Sequence, residues 1–407
     1  MSLKNWFKKR YREIVNSIAF YPALIALFFL IVAIIMFRFD FSELGKSIKT
    51  DTKWLNINDS NTARSIISAI ASGTISLAVF SFSMVMIVLN QAAAQMSNRV
   101  LNKLIGNMFQ QVVLGIYIGT IVYAFFLLST IRDTSSLLYI PSLSIYLLII
   151  ITITDIFLFI YFLHYITQSV KYDVIIRRIH KNTFEILKIN CVLDQHPNVE
   201  ISLTENATVI YAQKTGIYEN VDKKELLKIC KDQDCFIKIV KTPGSTILKN
   251  SPIAYIDQAL PKEVLDNIES NIFINDTESI DANFVYGFKQ LTEVAIKALS
   301  PGINDPGTAV ISLRSLFDLY CFRINHHPNP ILTDNNGKAC VYLNQLEFEK
   351  IFLDTMLPIW DYGKKDFIIL QQLLILLTEL KNLQENTEVT KLLNKVKKQC
   401  AGNSDFD

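Results

Sequence analysis

The chain has 407 residues, half of them hydrophobic and 19% charged, with a formal net charge of +2. That length admits two or more domains. The near-neutral balance excludes the strongly basic footprint of a nucleic-acid binder. Its six cysteines form no C-x-x-C pair, which argues against a zinc site; no metal and no cofactor is expected.

Charged residues are scarcer than the roughly one quarter of an average soluble domain. The deficit sits in the N-terminal part, where long apolar runs occur. Residues 1–17 form a basic N-terminus with Lys4, Lys8, Lys9, Arg10 and Arg12. Four runs follow, about 18–37, 66–89, 112–131 and 143–166. Each matches the ~20 residues of helix that cross a hydrocarbon core. They predict a four-helix transmembrane domain over 18–167. The first run is longer than a signal-peptide core, and polar FRFDFSELGK follows it instead of a small-residue cleavage site.

Basic residues in the short loops set the expected orientation. Arg99 and Lys103 lie between the second and third runs, and Lys171, Arg177, Arg178 and Lys181 follow the fourth. The opposite loops mix Asp40, Glu43, Asp51 and Asp59 with Arg38, Lys46, Lys49, Lys53 and Arg64. The N-terminus and the C-terminal half are therefore expected on the cytoplasmic side of a cell membrane.

The runs are not uniformly apolar. In the second, Ser68, Ser72 and Ser76 recur every fourth residue and share a helix face, with Asn90, Gln91, Gln95 and Asn98 beyond. That face reads either as close helix packing or as the wall of a water-filled path. In the third, Gly115 and Gly119 form a G-x-x-x-G pattern that packs helices, within one chain or between copies. In the fourth, Asp155 lies near the centre, where a carboxylate costs at least ~2.5 kcal/mol. It reads as a clasp to a serine of the second run, or as an ion or proton site.

Residues 168–200 read as a helical connector continuing the fourth span. Over 201–260, the short runs ATVIYA, GIYENV, CFIKIVK and SPIAYID are punctuated by Gly216, Pro243-Gly244 and Ser251-Pro252. With helical KKELLKIC between them, they predict a small β-rich module of barrel or sandwich type. Helical periodicity returns over 261–395, interrupted by the Pro- and Asn-rich loop RINHHPNPILTDNNGK; the polar tail 396–407 is expected to fray.

Two of these helices flank ALSPGINDPGTA, residues 298–309. Pro301 ends the first helix, and Gly302 is free to take a positive φ. Asp305 fits the N-cap of the next, with Pro306 at its first position and Thr308 at its third. Asn304 offers a second side-chain bond. A mechanical reading therefore accounts for every residue. A functional reading makes Ser300, Asn304 and Asp305, with Asp281 upstream, a ligand site or a junction between domains.

This motif resembles the hallmark of a bacterial membrane family called domain of unknown function 2254. The stretches SMVMIVLNQAAAQMSNRVL, GIYIGT, FLHYITQSVKYDVI, GIYENVD and YGFKQLTEVAIKALSPGINDP resemble family segments in the same order, over about residues 65–319. Two departures stand out. Gly307 occupies a position that is commonly aromatic in the family, and Asn283 precedes Tyr286-Gly287 where an acid is usual. The resemblance implies membrane location and four spans, without an established activity.

Three function classes follow. One is an oligomeric channel- or transport-like protein with a regulatory cytoplasmic domain. The second is a membrane-anchored sensor or scaffold whose cytoplasmic domain binds a ligand or protein. An enzyme using Asp305, Asn304, Asp281 and His326-His327 is the weakest of the three, since Asp305 already has a capping role. The expected partners are the lipid bilayer and further copies of the chain.

Overall fold

The computed structural model describes residues 19–51, 55–57, 59–95, 108–134, 137–169, 171–193, 207–334 and 337–402. The basic N-terminus, Lys53, Asn98, Arg99 and Lys103, which helped set the expected orientation and polar run, lie outside the described residues. The chain divides into two compact units, Met1–Lys171 and Tyr172–Asp407.

The N-terminal unit contains α1 (Phe20–Asp40), α2 (Glu43–Asp51), α3 (Ser60–Gln95), α4 (Met108–Thr130), a hairpin of β1 (Arg132–Thr134) and β2 (Leu137–Tyr139), and α5 (Ser142–Ser169). The helices α1, α3, α4 and α5 are long and apolar enough to cross a membrane. Leu27, Phe28, Phe82, Ile87, Phe157 and Ile160 are exposed on their outer faces, a distribution suited to lipid as solvent. Helix α1 lies along α4. A Cβ at Gly115 would come 2.7 Å from Ile25 Cδ1, and one at Gly119 would come 2.7 Å from Phe29 Cγ. The glycine pair is thus occupied by close approach within one chain.

The C-terminal unit opens with α6 (Tyr172–Asn190) and β3 (Cys191–Leu193), followed by β4 (Thr208–Tyr211), β5 (Gly216–Val221), α7 (Lys223–Gln233), β6 (Ile237–Ile239), β7 (Thr246–Ile247) and β8 (Pro252–Ile256). Next come α8 (Lys262–Ser270), β9 (Ile272–Asn275), α9 (Val285–Leu299), α10 (Pro306–Arg323), β10 (His326–Pro328), β11 (Ile331–Thr333) and β12 (Ala339–Leu343). Three helices close the unit: α11 (Phe348–Gly363), α12 (Phe367–Leu383) and α13 (Thr387–Gly402).

The β-rich part is not a closed barrel. A five-stranded mixed sheet has the order β11-β12-β6-β8-β4, a three-stranded sheet has the order β7-β5-β9, and β10 pairs with β3. Ile237, Ile239, Ala254, Ile256, Val341 and Leu226 fill the core between these strands and α7. The loop expected at RINHHPNPILTDNNGK supplies two of the strands, β10 and β11, and β12 follows directly, pairing in parallel with distant β6. Partners far along the chain order β10 and β12, and β11 pairs with β12. Asp222 starts α7 by accepting hydrogen bonds from Lys224 N and Glu225 N.

Two further expectations need correction. The connector is not one helix with the fourth span: α5 ends at Ser169 and α6 begins at Tyr172. The polar tail is helical through Gly402, because Val389, Leu392, Leu393 and Val396 recur at helical spacing and are buried.

Around α9 the helices pack closely. Phe288, Leu291, Ala295, Leu313, Tyr320, Phe352 and Met356 are buried, and Gly287 is where α9 meets α6. A Cβ there would overlap Thr183 Oγ1 and lie 2.7 Å from Thr183 Cγ2.

Candidate functional site

Among the described residues two acids are buried in the N-terminal unit, and they differ in their surroundings. Asp40, at the end of α1, has 0% of its surface exposed. It accepts from Leu143 N (3.1 Å), Ser144 N (2.8 Å) and Ser144 Oγ (2.5 Å), and pairs with Lys49 Nζ at 2.7 Å. A negative charge on the bare amides at the start of α5 is where a helix favours it. Asp40 is a completed clasp between α1, α2 and α5.

Asp155 is also 0% exposed. It is the fourteenth residue of the 28-residue α5, about 20 Å from either end at 1.5 Å per residue. Neither of its carboxyl oxygens has a hydrogen-bond partner. Its neighbours are Thr120 and Tyr117 on α4, and Tyr117 in turn neighbours Ser81 on α3. None of these approaches reaches hydrogen-bond geometry: the Tyr117 and Ser81 hydroxyls have no partner, and the Thr120 hydroxyl donates instead to Ile116 O at 3.1 Å. Thr74, on the same buried face of α3, is unpartnered as well. Unsatisfied polar groups in hydrocarbon cost several kcal/mol each. A cluster of them is a departure that calls for a role.

Apolar side chains close this polar layer on both sides. Toward the start of α3 lie Ala63, Ile67 and Ala71 of that helix, with Ala124, Leu127, Ile145 and Leu148 from α4 and α5. Toward its other end lie Val88, Val113, Phe162 and Ile166. On α3, α4 and α5 alike, the polar residues fall between the two apolar sets.

The serines singled out on the second span lie elsewhere. Ser68, Ser72 and Ser76 are exposed on the outer face of α3, and Ser76 Oγ donates back to Ser72 O at 2.9 Å. They do not join Asp155. The residues beside Asp155 are Tyr117 and Thr120, with Ser81 beside Tyr117. Tyr117 and Thr120 flank the second glycine of GIYIGT, so the signal was a polar pair hidden inside a packing motif.

In the C-terminal unit the loop at 298–309 turns one helix into the next. Asp305 accepts from Thr308 N (3.1 Å) and Thr308 Oγ1 (2.6 Å), as an N-cap should. Asp305 N donates to Ala298 O at 2.8 Å, and Ser300 Oγ donates to Lys297 O at 2.7 Å. The left-handed residue is Asn304, with φ 50°, and not Gly302; an asparagine tolerates that conformation better than most residues. The Asn304 side chain is exposed and makes no hydrogen bond among the described residues. Asp305 acts on Tyr172, at the start of α6: burial first, then the Asp305 charge, holds that phenol above its ordinary value.

Asp281 is not part of this loop. It is exposed ahead of α9, whereas Ser300 follows that 15-residue helix, a separation of about 20 Å along the axis. Asn283 accepts from Val285 N at 3.0 Å and so helps start α9. His326 and His327 serve the buried Arg323, whose Nη1 donates to His326 O at 2.9 Å and lies 3.2 Å from His327 Nδ1.

Four apolar helices around a sealed polar layer define a multi-span membrane protein. The chain belongs to the family described as Predicted membrane protein (DUF2254), whose model matches residues 15–379. Relatives include Uncharacterized protein Mb1321c of Mycobacterium bovis and Uncharacterized protein Rv1290c of Mycobacterium tuberculosis. Each is 22% identical over 330 residues, covering 78% of this chain and 63% of the relative. The chain thus spans less than two thirds of the length of these curated relatives. No solved structure matches.

Proposed function

We propose that the protein is a transport-like protein of the cell membrane, working as a homo-oligomer, with the C-terminal unit as a regulatory domain on the cytoplasmic side. The observation that carries this reading is the contrast between the two buried acids. Asp40 has every donor a structural carboxylate needs. Asp155, at mid-span, has none. An acid that only braced helices would gain by having partners, since an unpaired one destabilises the bundle it sits in. Ser68, Ser72 and Ser76, exposed toward the bilayer, are where a second copy would pack. The loop containing Ser300, Asn304 and Asp305, acting on Tyr172 just after the last span, would link regulation to the bundle.

Electrical recording of the purified full chain in planar bilayers tests this. A current or flux that Asp155→Asn reduces at least tenfold is expected. No ion movement under any gradient would remove the reading.

A sensor or scaffold is the second reading. It is favoured by a cavity of about 300 Å³ in the C-terminal unit, bordered by Gln213, Lys214, Glu269 and Phe273, a size that suits a small ligand.

A further inference from the structure

We propose that the species handled at Asp155 is the proton, taken up and released by that carboxyl with the Tyr117 and Thr120 hydroxyls beside it and Ser81 beyond Tyr117, one sealed apolar layer opening at a time. This rests on the transport reading and names its substrate.

The donor set decides between substrates. Calcium takes six to eight oxygens, commonly with several carboxylates, and zinc takes four ligands from Cys, His and carboxylates. Here one carboxyl is present, and no group of three or more His, Cys, Asp or Glu suited to a metal exists among the described residues. Alkali cations in membranes are held by backbone carbonyls freed where a helix breaks, or by rings of several carboxylates; one carboxyl is present here. Helices α3, α4 and α5 run unbroken through this layer. Their threonines cover carbonyls further: Thr120 donates to Ile116 O and Thr152 to Leu148 O. An anion would meet a carboxyl and no cation. What remains is one carboxyl and several hydroxyls, and a hydroxyl can accept one proton while giving up another.

Among the described residues Tyr117 is the one titratable side chain that faces Asp155; α1 and α3 bring none to this level, and His164 on α5 is exposed two and a half turns away. The exchange needs no co-reactant besides water. When one layer opens, the carboxyl O–H breaks and its proton passes to water on that side, leaving the carboxylate. When the other opens, the carboxylate takes a proton from water there. Each cycle moves one proton and one positive charge.

The test uses the full chain in liposomes with a trapped pH dye and a membrane potential set by potassium and valinomycin. Wild type should move protons down that potential, unchanged when sodium replaces the other external cation. Asp155→Asn should lower the rate at least tenfold and Tyr117→Phe several-fold. A hydrophobic carbodiimide should couple to Asp155, located by peptide mass spectrometry, and block the flux of wild type in proportion to coupling. That measurement decides the matter should Asp155→Asn fail to fold. Proton flux that survives full coupling, or equals wild type in folded Asp155→Asn, overturns the proposal. An Asp155-dependent current carried by sodium or potassium without a pH change overturns the proton and leaves transport standing. No flux of any ion overturns both.

Discussion

Asp305 shows how one side chain can do two things. It caps α10 through Thr308 N and Thr308 Oγ1, and its charge reaches the Tyr172 phenol. Replacing it with alanine removes the cap, which costs about 1 kcal/mol. Asp305→Ala is therefore expected to lower the stability of the C-terminal unit by that order in urea melts. It should also move the Tyr172 titration downward in an absorbance–pH scan, because a negative neighbour disfavours phenolate. The cap itself was legible in the sequence, since Asp-Pro-x-Thr fixes the chemistry of a helix start within four residues. The left-handed residue was not. Gly302 and Asn304 can both take positive φ, and the closing bond from Asp305 N to Ala298 O selects Asn304.

Between elements, glycine does its work by allowing contact. Gly115 and Gly119 admit α1 onto α4, and Gly287 admits α9 onto α6. At Gly287 the obstacle is the side chain of Thr183, whose Oγ1 donates to Ile179 O at 2.7 Å. Gly287→Ala should destabilise by roughly 1–3 kcal/mol, the range for overpacking a core. Thr183→Ala in the same chain should recover part of that loss. A double-mutant cycle by denaturant unfolding measures the coupling, and strict additivity would mean that the two residues do not oppose each other. The sequence placed the glycines on their helices. It could not say which helix faces them, because small-residue spacing carries no partner identity.

For the molecule as a whole, the two units answer to different solvents, and the C-terminal one has its own alkaline limit. Burial pushes the Cys191 thiol from 9.0 up to about 11, against the opposing pull of Arg323 and Lys223. Burial likewise raises the Tyr218 and Tyr320 phenols. A folded value above the unfolded one means that the native state holds more protons through this window. Its stability is then fully present below pH 9 and lost as pH rises. For Cys191 alone the loss between pH 9 and 11 is of order 2–3 kcal/mol at 1.36 kcal/mol per pH unit. Thermal melts across that range should show Cys191→Ala flattening the decline relative to wild type.

Four apolar helices long enough to span, a resemblance to a membrane family and a capped turn were in the sequence, because bilayer thickness and helix-end chemistry act over a few consecutive residues. The strands at 326–343 were not, because they exist through partners such as β6, roughly a hundred residues away in the chain. Nor could sequence say what each acid touches: Asp40 reads as a loop residue after the first run, and Asp155, at the centre of the fourth, reads equally as a clasp or as an ion or proton site. Only the packing of α1, α2 and α5 gives Asp40 its amides and Lys49, and only the packing of α3, α4 and α5 leaves Asp155 among hydroxyls with none in bonding reach. Burial and pairing are properties of neighbours, and neighbours are set by the fold.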